Sequence, residues 1–253
     1  VHMSHKMLVA FLVLTLGIAG TALAAPISYG NVSGDSVVYQ QLFEDSSTDP
    51  GATLYGAPTV SGDALLFNPS FSASASVAGT SDMTDGQLSG YIHATNNSRI
   101  ESVVFQEYGD FSLIGAGGAG TYTMIAATFH VNVIQIDGAD LTIPIYHTQS
   151  MTFAPGSFWS LPADMGLGTP FSGAVYIDVN QVIIDGGYIG KATKVQFSLD
   201  NILVAASDGG IATIAKKALN GFAVTTATDI PEPATISVMA CGALALVRRR
   251  RRA

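Results

Sequence analysis

Aspartates are the residues of this chain that are best suited to bind a metal ion. Asp82 and Asp85 lie in one short segment, and Asp137 and Asp140 lie in another. Oxygen ligands carried on loops suit Ca²⁺, whereas aspartate is also a common turn former. We therefore predict these four residues as candidate ligands of a structural calcium ion, with turn formation as the alternative role. No other cofactor is predicted.

Two glutamates could form the carboxylate pair of a glycoside hydrolase. Glu101 and Glu107 have an even separation in the chain, which places both side chains on one face of a strand. At about 3.3 Å per residue they would lie about 20 Å apart, whereas the reaction needs carboxyl groups about 5–10 Å apart. This pair therefore fails, although Glu44 or an aspartate on another strand could partner either glutamate. A secreted glycoside-active enzyme remains the third hypothesis.

Other catalytic or cofactor motifs are weak. His93, His130 and His147 occur singly on predicted strands, without the spacing of a zinc site. The segment from Gly115 to Gly120 matches G-x-G-x-x-G, but a strand pattern follows it, whereas a dinucleotide site requires a helix. We interpret this segment as a loop between strands, and we predict no catalytic residue.

Three aromatic residues are candidates for glycan binding. Phe158 and Trp159 lie in a segment rich in proline and glycine, residues 154–170, which predicts a long loop, and Tyr146 precedes it. Binding surfaces often form on such loops, where an aromatic ring can stack on a sugar. The alternative is that Trp159 pins the loop to the edge of the fold.

The elements that carry these residues are predicted to be β-strands. Asp137-Gly138 is a strong hairpin signal, and residues 82–86 are predicted as a turn. Residues 211–226 fit either a helix or a hairpin that turns at Asn220-Gly221, and we favour the hairpin. The other predicted strands cover residues 37–43, 64–67, 71–77, 87–94, 100–108, 111–114, 121–136, 141–151, 174–179, 182–184, 193–199 and 202–205.

About a dozen short strands without alternating helices predict an all-β fold, a single β-sandwich formed by residues 25–228. A jelly roll is the favoured type of sandwich. The segment 197–202, Phe-Ser-Leu-Asp-Asn-Ile, resembles the closing strands of carbohydrate-binding jelly rolls, in which an acidic residue helps to hold a structural calcium ion. This resemblance adds Asp200 to the candidate calcium ligands.

The charge of the central part of the chain excludes one class of partner. Residues 25–230 carry five basic and eighteen acidic residues, a balance of −13. Such a surface repels phosphate backbones, so no nucleic-acid partner is predicted. The only cysteine, Cys241, lies outside this region, which therefore has no disulfide bonds.

Residues 1–24 have the pattern of a secretory signal peptide. Lys6 precedes an apolar run from Leu8 to Ile18, and Ala22-Leu23-Ala24 is a small-x-small cleavage site. We predict that this helix engages the Sec translocon and that signal peptidase leaves Ala25 as the first residue.

Residues 229–253 have three parts in a fixed order. Pro231-Glu232-Pro233 comes first, residues 234–247 are apolar or small, and a basic cluster ends the segment, formed by Arg248, Arg249, Arg250, Arg251 and Arg252. A helix of this apolar length spans about 21 Å, short of a hydrocarbon core of about 30 Å. Snorkelling arginines compensate in part and stay on the cytoplasmic side.

This arrangement resembles the PEP-CTERM sorting domain, and the resemblance covers residues 230–253 only. It implies export across the inner membrane of a Gram-negative bacterium, transient anchoring there by a short transmembrane helix, and processing near the motif by an exosortase. The mature protein is then expected at the cell surface or in the exopolysaccharide matrix. We expect a structural or adhesive role there, with a carbohydrate-binding module as the alternative.

Overall fold

A computed structural model describes residues 25–95, 97–217 and, for the backbone alone, 222–228. These residues are mostly β-strand, so the predicted all-β class is confirmed. The signal peptide, the Pro-Glu-Pro motif, the apolar segment and the arginine cluster lie outside the described residues. Among the residues that are described, no helix is long and apolar enough to cross a membrane.

Fifteen strands and one short helix make up the described part of the chain. In chain order the strands are β1 (Ile27–Ser33), β2 (Val37–Asp45), β3 (Thr59–Ser61), β4 (Ala64–Phe67), β5 (Ser72–Ala75), β6 (Thr80–Ala94), β7 (Ile100–Ile114), β8 (Tyr122–Ile136), β9 (Ala139–Ser150), β10 (Thr152–Ala154), β11 (Phe158–Ser160), β12 (Gly166–Asp178), β13 (Ala192–Ser207), β14 (Ile211–Lys216) and β15 (Phe222–Thr228). The helix, α1, is Val179–Asp185.

The strands form two antiparallel groups. The first group has the order β1-β2-β6-β13-β8-β9, and β11 pairs with the start of β8. In the second group β12 lies along one side of β7. On the other side of β7, β15 pairs with its first half and β14 with its second half. β15 also pairs with β4, and β14 also pairs with β5. One residue pair, Ala192 and Ile100, joins the two groups.

Side chains from the two groups meet in one core. Phe105 of β7 lies 5.7 Å from Phe129 of β8, measured between ring centres, although β7 and β8 belong to different groups. Phe129 in turn lies 6.3 Å from Phe197 of β13. All three rings are fully buried, and each contributes about 1.5–3 kcal/mol to the stability of the fold. This packing of one group on the other is the arrangement expected of a β-sandwich.

The predicted turn at residues 82–86 is wrong, because this segment lies inside β6. Every residue from Asp82 to Gly86 pairs with β13. The side chains of Asp82 and Asp85 accept hydrogen bonds from neighbouring loops and strands, so the acidic residues are accommodated within a strand. Pairing with a long neighbouring strand outweighs the turn preference of aspartate and glycine.

The strand predicted at residues 182–184 is also wrong, since α1 occupies it. Asp178 caps the helix by accepting a hydrogen bond from the backbone of Gln181. Val179, Val182 and Ile183 are buried, at the spacing of one helical face. The β-branched residues of this segment favour a strand, and for that reason the N-capping role of Asp178 was not recognised in the sequence.

The two strands predicted in residues 211–226 are present as β14 and β15, but in the described residues they do not pair with each other as a hairpin. Both pair with β7, β14 opposite its second half and β15 opposite its first half. The predicted hairpin at Asp137-Gly138 is confirmed: Ile136 pairs with Ala139, and both turn residues have positive φ, 47° and 82°.

Candidate functional site

The outer side of the first strand group carries a continuous row of polar side chains. Residues alternate between the two faces of a strand, and here most inward residues are buried and apolar while most outward ones are exposed or half-exposed. The strand register brings the outward residues together. We call this surface the polar face; it consists of Gln87, Ser89 and Tyr91 in β6, Gln196, Ser198 and Asp200 in β13, Thr128, His130 and Asn132 in β8, and Tyr146 and Thr148 in β9.

Side-chain hydrogen bonds connect these strands across the face. Asp200 accepts one from Gln87 Nε2 at 2.7 Å and lies 3.1 Å from His130 Nε2. The other ring nitrogen of His130 lies 2.8 Å from the hydroxyl of Thr148. The bonds run from β6 to β9, so they hold polar groups in fixed positions on a rigid sheet.

One row of the polar face has an aromatic ring at each end. Tyr91 is directly opposite Gln196, Gln196 is opposite Asn132, and Asn132 is opposite Tyr146. Three strand spacings of about 4.8 Å separate the two tyrosines by about 14 Å. The amides between them are linked, with Asn132 Nδ2 donating to Gln196 Oε1 at 3.3 Å. We call these four residues the tyrosine–amide row.

The two ends of the tyrosine–amide row differ. Tyr146 is 69% exposed, so both its ring and its hydroxyl are accessible. Tyr91 is half-buried, and the ammonium group of Lys194 lies 5.0 Å from the centre of its ring. One end therefore offers a free aromatic surface, and the other offers a hydroxyl beside a positive charge.

A depression of about 420 Å³ adjoins the polar face at Gln87 and Asp200. Its rim is acidic and hydroxylated. The other residues that line it are Asp45, Ser46, Ser47, Pro50, Asp85, Gly86, Asn201 and Ile202.

Asp85, a predicted calcium ligand, binds a loop. Its carboxylate accepts hydrogen bonds from the backbone N–H of Ser47 and Thr48 and from the hydroxyls of Ser46, Ser47 and Thr48. Burial alone would raise the pKa of Asp85, but these hydrogen bonds outweigh burial and lower it to about 2. The carboxylate is ionised, and its oxygens already have donors.

The other predicted calcium ligands are dispersed. Asp82 accepts a hydrogen bond from the backbone of Ser74, and it points away from Asp85 because the two are an odd number of residues apart on one strand. Asp137 lies 3.3 Å from Arg99, and Asp140 accepts from Gln135. Within the described residues, no three acidic, histidine or cysteine side chains come together as a metal site.

Glu44 and Asp208 organise loops in the same way, and the sequence did not identify either of them as a loop-binding residue. Glu44 is buried and accepts the backbone N–H groups of Leu54, Tyr55 and Gly56. The strand preceding Glu44 and the Pro-Gly-containing loop after it were the available signals, but they do not specify which loop a carboxylate will bind.

The glycine-rich loop 115–120 is closed by Asp208. This carboxylate accepts the N–H groups of Gly118 and Gly120, and it also accepts a hydrogen bond from the Thr121 hydroxyl. The Thr121 bond is the largest cause of the lowered pKa of Asp208. A dinucleotide loop presents its N–H groups to phosphate, whereas two of the N–H groups here bind the protein's own carboxylate.

The three predicted glycan-binding aromatics do not form one surface. Trp159 is only 4% exposed and stacks on Phe111, with ring centres 4.3 Å apart. It holds the 154–170 segment, which contains β11 and the start of β12, against the core. Phe158 and Tyr146 are exposed, but they pair with Met124 and Asn132 of β8, which places them about 27 Å apart. Only Tyr146 belongs to the polar face.

The glutamates considered as a catalytic pair have different surroundings. Glu101 is half-exposed and lies 3.5 Å from Lys191. Glu107 is fully buried and forms an ion pair with Lys216 at 2.7 Å. β7 pairs with β12 without a register shift from Ser102 to Glu107, so no bulge shortens the strand between the two glutamates.

The histidines also separate. His130 lies within the polar face, hydrogen-bonded as described above. His93 pairs with Lys194 across β6 and β13, and His147 pairs with Val131 across β9 and β8.

Comparisons with known proteins give a fold likeness at most. No family model matches the chain, and no curated protein matches it. Among solved structures, a loop-swap mutant of Necallimastix patriciarum Xyn11A is 10% identical, with a TM-score of 0.26, and the alignment covers 78% of this chain and 94% of that one.

Two other solved structures are equally distant. The enzymatically active domain of tailspike protein 4 of bacteriophage CBA120 is 11% identical, with a TM-score of 0.21, over 78% of this chain and 19% of that one. The VP2 subviral particle of infectious bursal disease virus is 11% identical, with a TM-score of 0.20, over 85% of this chain and 59% of that one. None of these likenesses carries a functional argument.

Proposed function

We propose that this chain is an exported, non-enzymatic adhesive protein that binds matrix polysaccharide through its polar face. The observation that carries this proposal is the tyrosine–amide row, in which two tyrosines flank two amides in direct register across four strands. A purely structural role in the matrix, without a glycan ligand, is the second candidate. Glu101 and Glu107, the two glutamates considered for catalysis, each lie beside a lysine, which argues against a glycoside-active enzyme.

The chemistry of the tyrosine–amide row suits a sugar chain. An amide offers both donors and an acceptor, which matches the hydroxyl groups of a saccharide. An exposed tyrosine adds a flat apolar surface with a polar edge, suited to stacking on a sugar ring. Positions fixed by a rigid sheet lose little conformational freedom on binding.

The charge of the protein selects the kind of polysaccharide. Residues 25–230 carry a balance of −13, so an anionic polymer would be repelled. Lys194 supplies a single positive charge at the Tyr91 end of the row. We therefore propose a neutral or amino-sugar-containing polysaccharide as the ligand.

The finer fold assignment supports the same proposal. The two antiparallel strand groups with a shared core are consistent with a β-sandwich of jelly-roll type. Such a sandwich leaves the outer face of each sheet open to a long, unbranched ligand.

The location follows from the ends of the sequence. We propose that the signal peptide at residues 1–24 directs export and that an exosortase processes the precursor at Pro231-Glu232-Pro233. Replacing this tripeptide with three alanines should leave the precursor threaded through the inner membrane. Release of the mature protein at an unchanged rate would contradict the sorting assignment.

A glycan array tests the binding role. The purified protein should bind neutral or amino-sugar glycans, and Tyr146→Ala should lose most of the signal. Tyr176→Ala is the matched control, because Tyr176 is 57% exposed but lies on β12, outside the polar face. Binding to no glycan would reject the adhesive role and leave the structural one, whereas equal loss in both variants would place the ligand elsewhere.

A further inference from the structure

A charged and polar cluster is buried between the two strand groups. It contains Lys216 of β14, Glu107 of β7 and Asn201 of β13, residues that are exposed by only 3%, 0% and 1%. Lysine is rarely buried to this degree. The three residues lie on three different strands, so the fold itself brings them together, and the glycan hypothesis uses none of them.

The contacts within the cluster are specific. The Nζ atom of Lys216 donates a hydrogen bond to Glu107 Oε2 at 2.7 Å and another to Asn201 Oδ1. The amide nitrogen of Asn201 lies 3.4 Å from the hydroxyl oxygen of Tyr55, which itself donates to the carbonyl of Gly86 at 2.8 Å. The Asn201 amide is therefore held at its nitrogen by Tyr55 and at its oxygen by Lys216.

The second oxygen of Glu107, Oε1, is buried and accepts no hydrogen bond from the described residues. Asn201 is nevertheless close enough to lower the pKa of Glu107. Glu107 thus contacts the lysine with one oxygen, and its other oxygen has no hydrogen-bond donor among the described residues. A carboxyl group in this position can accept a proton from one nitrogen and deliver a proton to another.

The surroundings favour the uncharged forms of the pair. Burial lowers the pKa of Lys216 to about 8, against the opposing effect of Glu107. Burial also raises the pKa of Glu107, against the opposing effects of Lys216 and Asn201. The centre of the Phe71 ring lies 5.1 Å from Nζ, so the amine packs against an aromatic face. Proton transfer from the lysine to the glutamate gives a neutral amine, which is a nucleophile, in contact with an amide carbonyl.

We propose that Lys216 and Asn201 become joined by an intramolecular isopeptide bond, which the folded protein forms by itself with Glu107 as the catalytic acid–base residue. The proposal concerns a modification of the core and goes beyond the proposed glycan-binding role. It needs no cofactor, oxidant or second protein.

The reaction begins when Glu107 takes a proton from the Lys216 ammonium group. The lone pair of Nζ then forms a bond to Asn201 Cγ, and the carbonyl π electrons move to Oδ1. Glu107 gives its proton to Nδ2 and takes another proton from Nζ. The Cγ–Nδ2 bond breaks with its electron pair on nitrogen, the carbonyl re-forms, and ammonia leaves. One carbon–nitrogen bond forms for each one broken, and the amide product retains a single hydrogen on Nζ.

Fixed contact between the reacting groups explains how such a slow reaction could proceed in a folded protein. Holding an amine against a carbonyl can correspond to effective concentrations of about 10⁵–10⁸ M. The product would connect β13, in the first strand group, with β14, in the second. It would supply a covalent link to an exported domain that has no cysteine between residues 25 and 230.

Proteolysis followed by mass spectrometry tests the bond directly. The purified protein is denatured and digested with trypsin and with a protease that cleaves before aspartate. Cleavage before Asp200 and Asp208 places Asn201 and Lys216 in separate peptides, residues 200–207 and 208–217. We expect these peptides to remain joined, with a combined mass lower by one molecule of ammonia. Two separate peptides of unmodified mass, from protein with a native circular dichroism spectrum, would overturn the proposal.

Two variants assign the roles of the residues. Lys216→Met removes the nucleophile and Glu107→Gln removes the acid–base group while preserving its shape, and both should yield separate peptides. Each digest is read alongside the circular dichroism spectrum of the same sample. A joined pair in Glu107→Gln would contradict the role of Glu107. Because the result for the unaltered chain depends on no variant, poor folding of either variant leaves the test intact. Loss of glycan binding in the array would not affect this outcome.

Discussion

Three carboxylate side chains of this protein bind the backbones of loops. Glu44, Asp85 and Asp208 each accept several hydrogen bonds from a separate loop. The acidic composition therefore has a structural use in addition to solubility. This explains why aspartates that the sequence predicts as calcium ligands occur without forming a calcium site among the described residues.

Asp85→Asn should destabilise the protein by about 1–3 kcal/mol, because several donors in the 46–48 loop lose their charged acceptor. The pH dependence follows from the lowered pKa. A carboxyl group whose pKa falls from 3.8 to about 2 on folding stabilises the fold above the unfolded value, and this stabilisation is lost as the pH falls through 2. Urea denaturation at pH 7 and at pH 2.5 measures both effects.

The control for Asp85 is Asp35→Asn, since Asp35 is exposed. Its free energy of unfolding should change by less than about 0.5 kcal/mol. Equal effects of the two substitutions would show that the loop contacts of Asp85 contribute nothing.

Trp159→Ala should lower the free energy of unfolding by about 3–5 kcal/mol, because it removes a buried ring that stacks on Phe111 and Phe171. Phe158→Ala is the matched control: its side chain is the next in the chain but is 53% exposed. Urea denaturation of both variants distinguishes the roles. A small effect at Trp159, combined with lost glycan binding, would instead support the sugar-stacking hypothesis.

At the scale of elements, the strands were more predictable than their pairing. The alternation of polar and apolar residues identified strands β8 and β9. The hairpin between them was identified by Asp-Gly, which supplies the positive φ that the turn requires. A second such turn was predicted at Asn220-Gly221, which lies outside the described residues, but the strands that precede and follow it do not pair with each other within the described residues. Only the tertiary fold shows that β14 and β15 both pair with β7.

Helix α1 shows a second limit of prediction from the sequence. Val179, Val182 and Ile183 are β-formers, so local propensity favours a strand. The helix is stable here because Asp178 caps it and those three side chains reach the core. The sequence signal, an aspartate three residues before Gln181, is short and becomes convincing only when the buried face is known.

Asp178→Ala should destabilise α1, because Asp178 accepts the hydrogen bond from the backbone of Gln181. The expected cost is about 1 kcal/mol in the free energy of unfolding. Thermal denaturation measures it, with Asp185→Ala, at the other end of the helix, as the comparison. A larger loss at Asp185 would show that the cap is not what fixes this helix.

The polar face could not be predicted from the sequence for a related reason. Each of its strands shows polar residues at every second position, which was visible. The tyrosine–amide row depends on the register of three strand pairs, and a shift by one residue would turn Tyr91 or Tyr146 toward the core. Tyr146 was identified, whereas Tyr91, Asn132 and Gln196 were not.

At the scale of the whole molecule, calcium provides an independent check. The predicted ligands Asp82, Asp85, Asp137, Asp140 and Asp200 each have protein partners. We therefore expect the thermal unfolding temperature to be unchanged between buffers containing Ca²⁺ and EDTA. A rise with Ca²⁺ would mean that these partners yield to a metal ion.

The protein as a whole combines a rigid core with an open polar surface. The buried Lys216–Glu107–Asn201 cluster connects the two strand groups, while the polar face lies on the outer side of the first group. Rigidity of the sheet is what fixes the spacing of Tyr91 and Tyr146, so the two features would support one another in the proposed adhesive role.

Titration of a glycan into amide variants tests the binding claim most directly. The best array ligand is measured by calorimetry against the unaltered protein and against Asn132→Leu/Gln196→Leu, with Gln106→Leu as the control because Gln106 is exposed on β7. Two lost hydrogen bonds of about 1 kcal/mol each predict an affinity lower by more than about tenfold. Unchanged affinity in the double variant, equal to that of the Gln106 control, would contradict binding at the polar face.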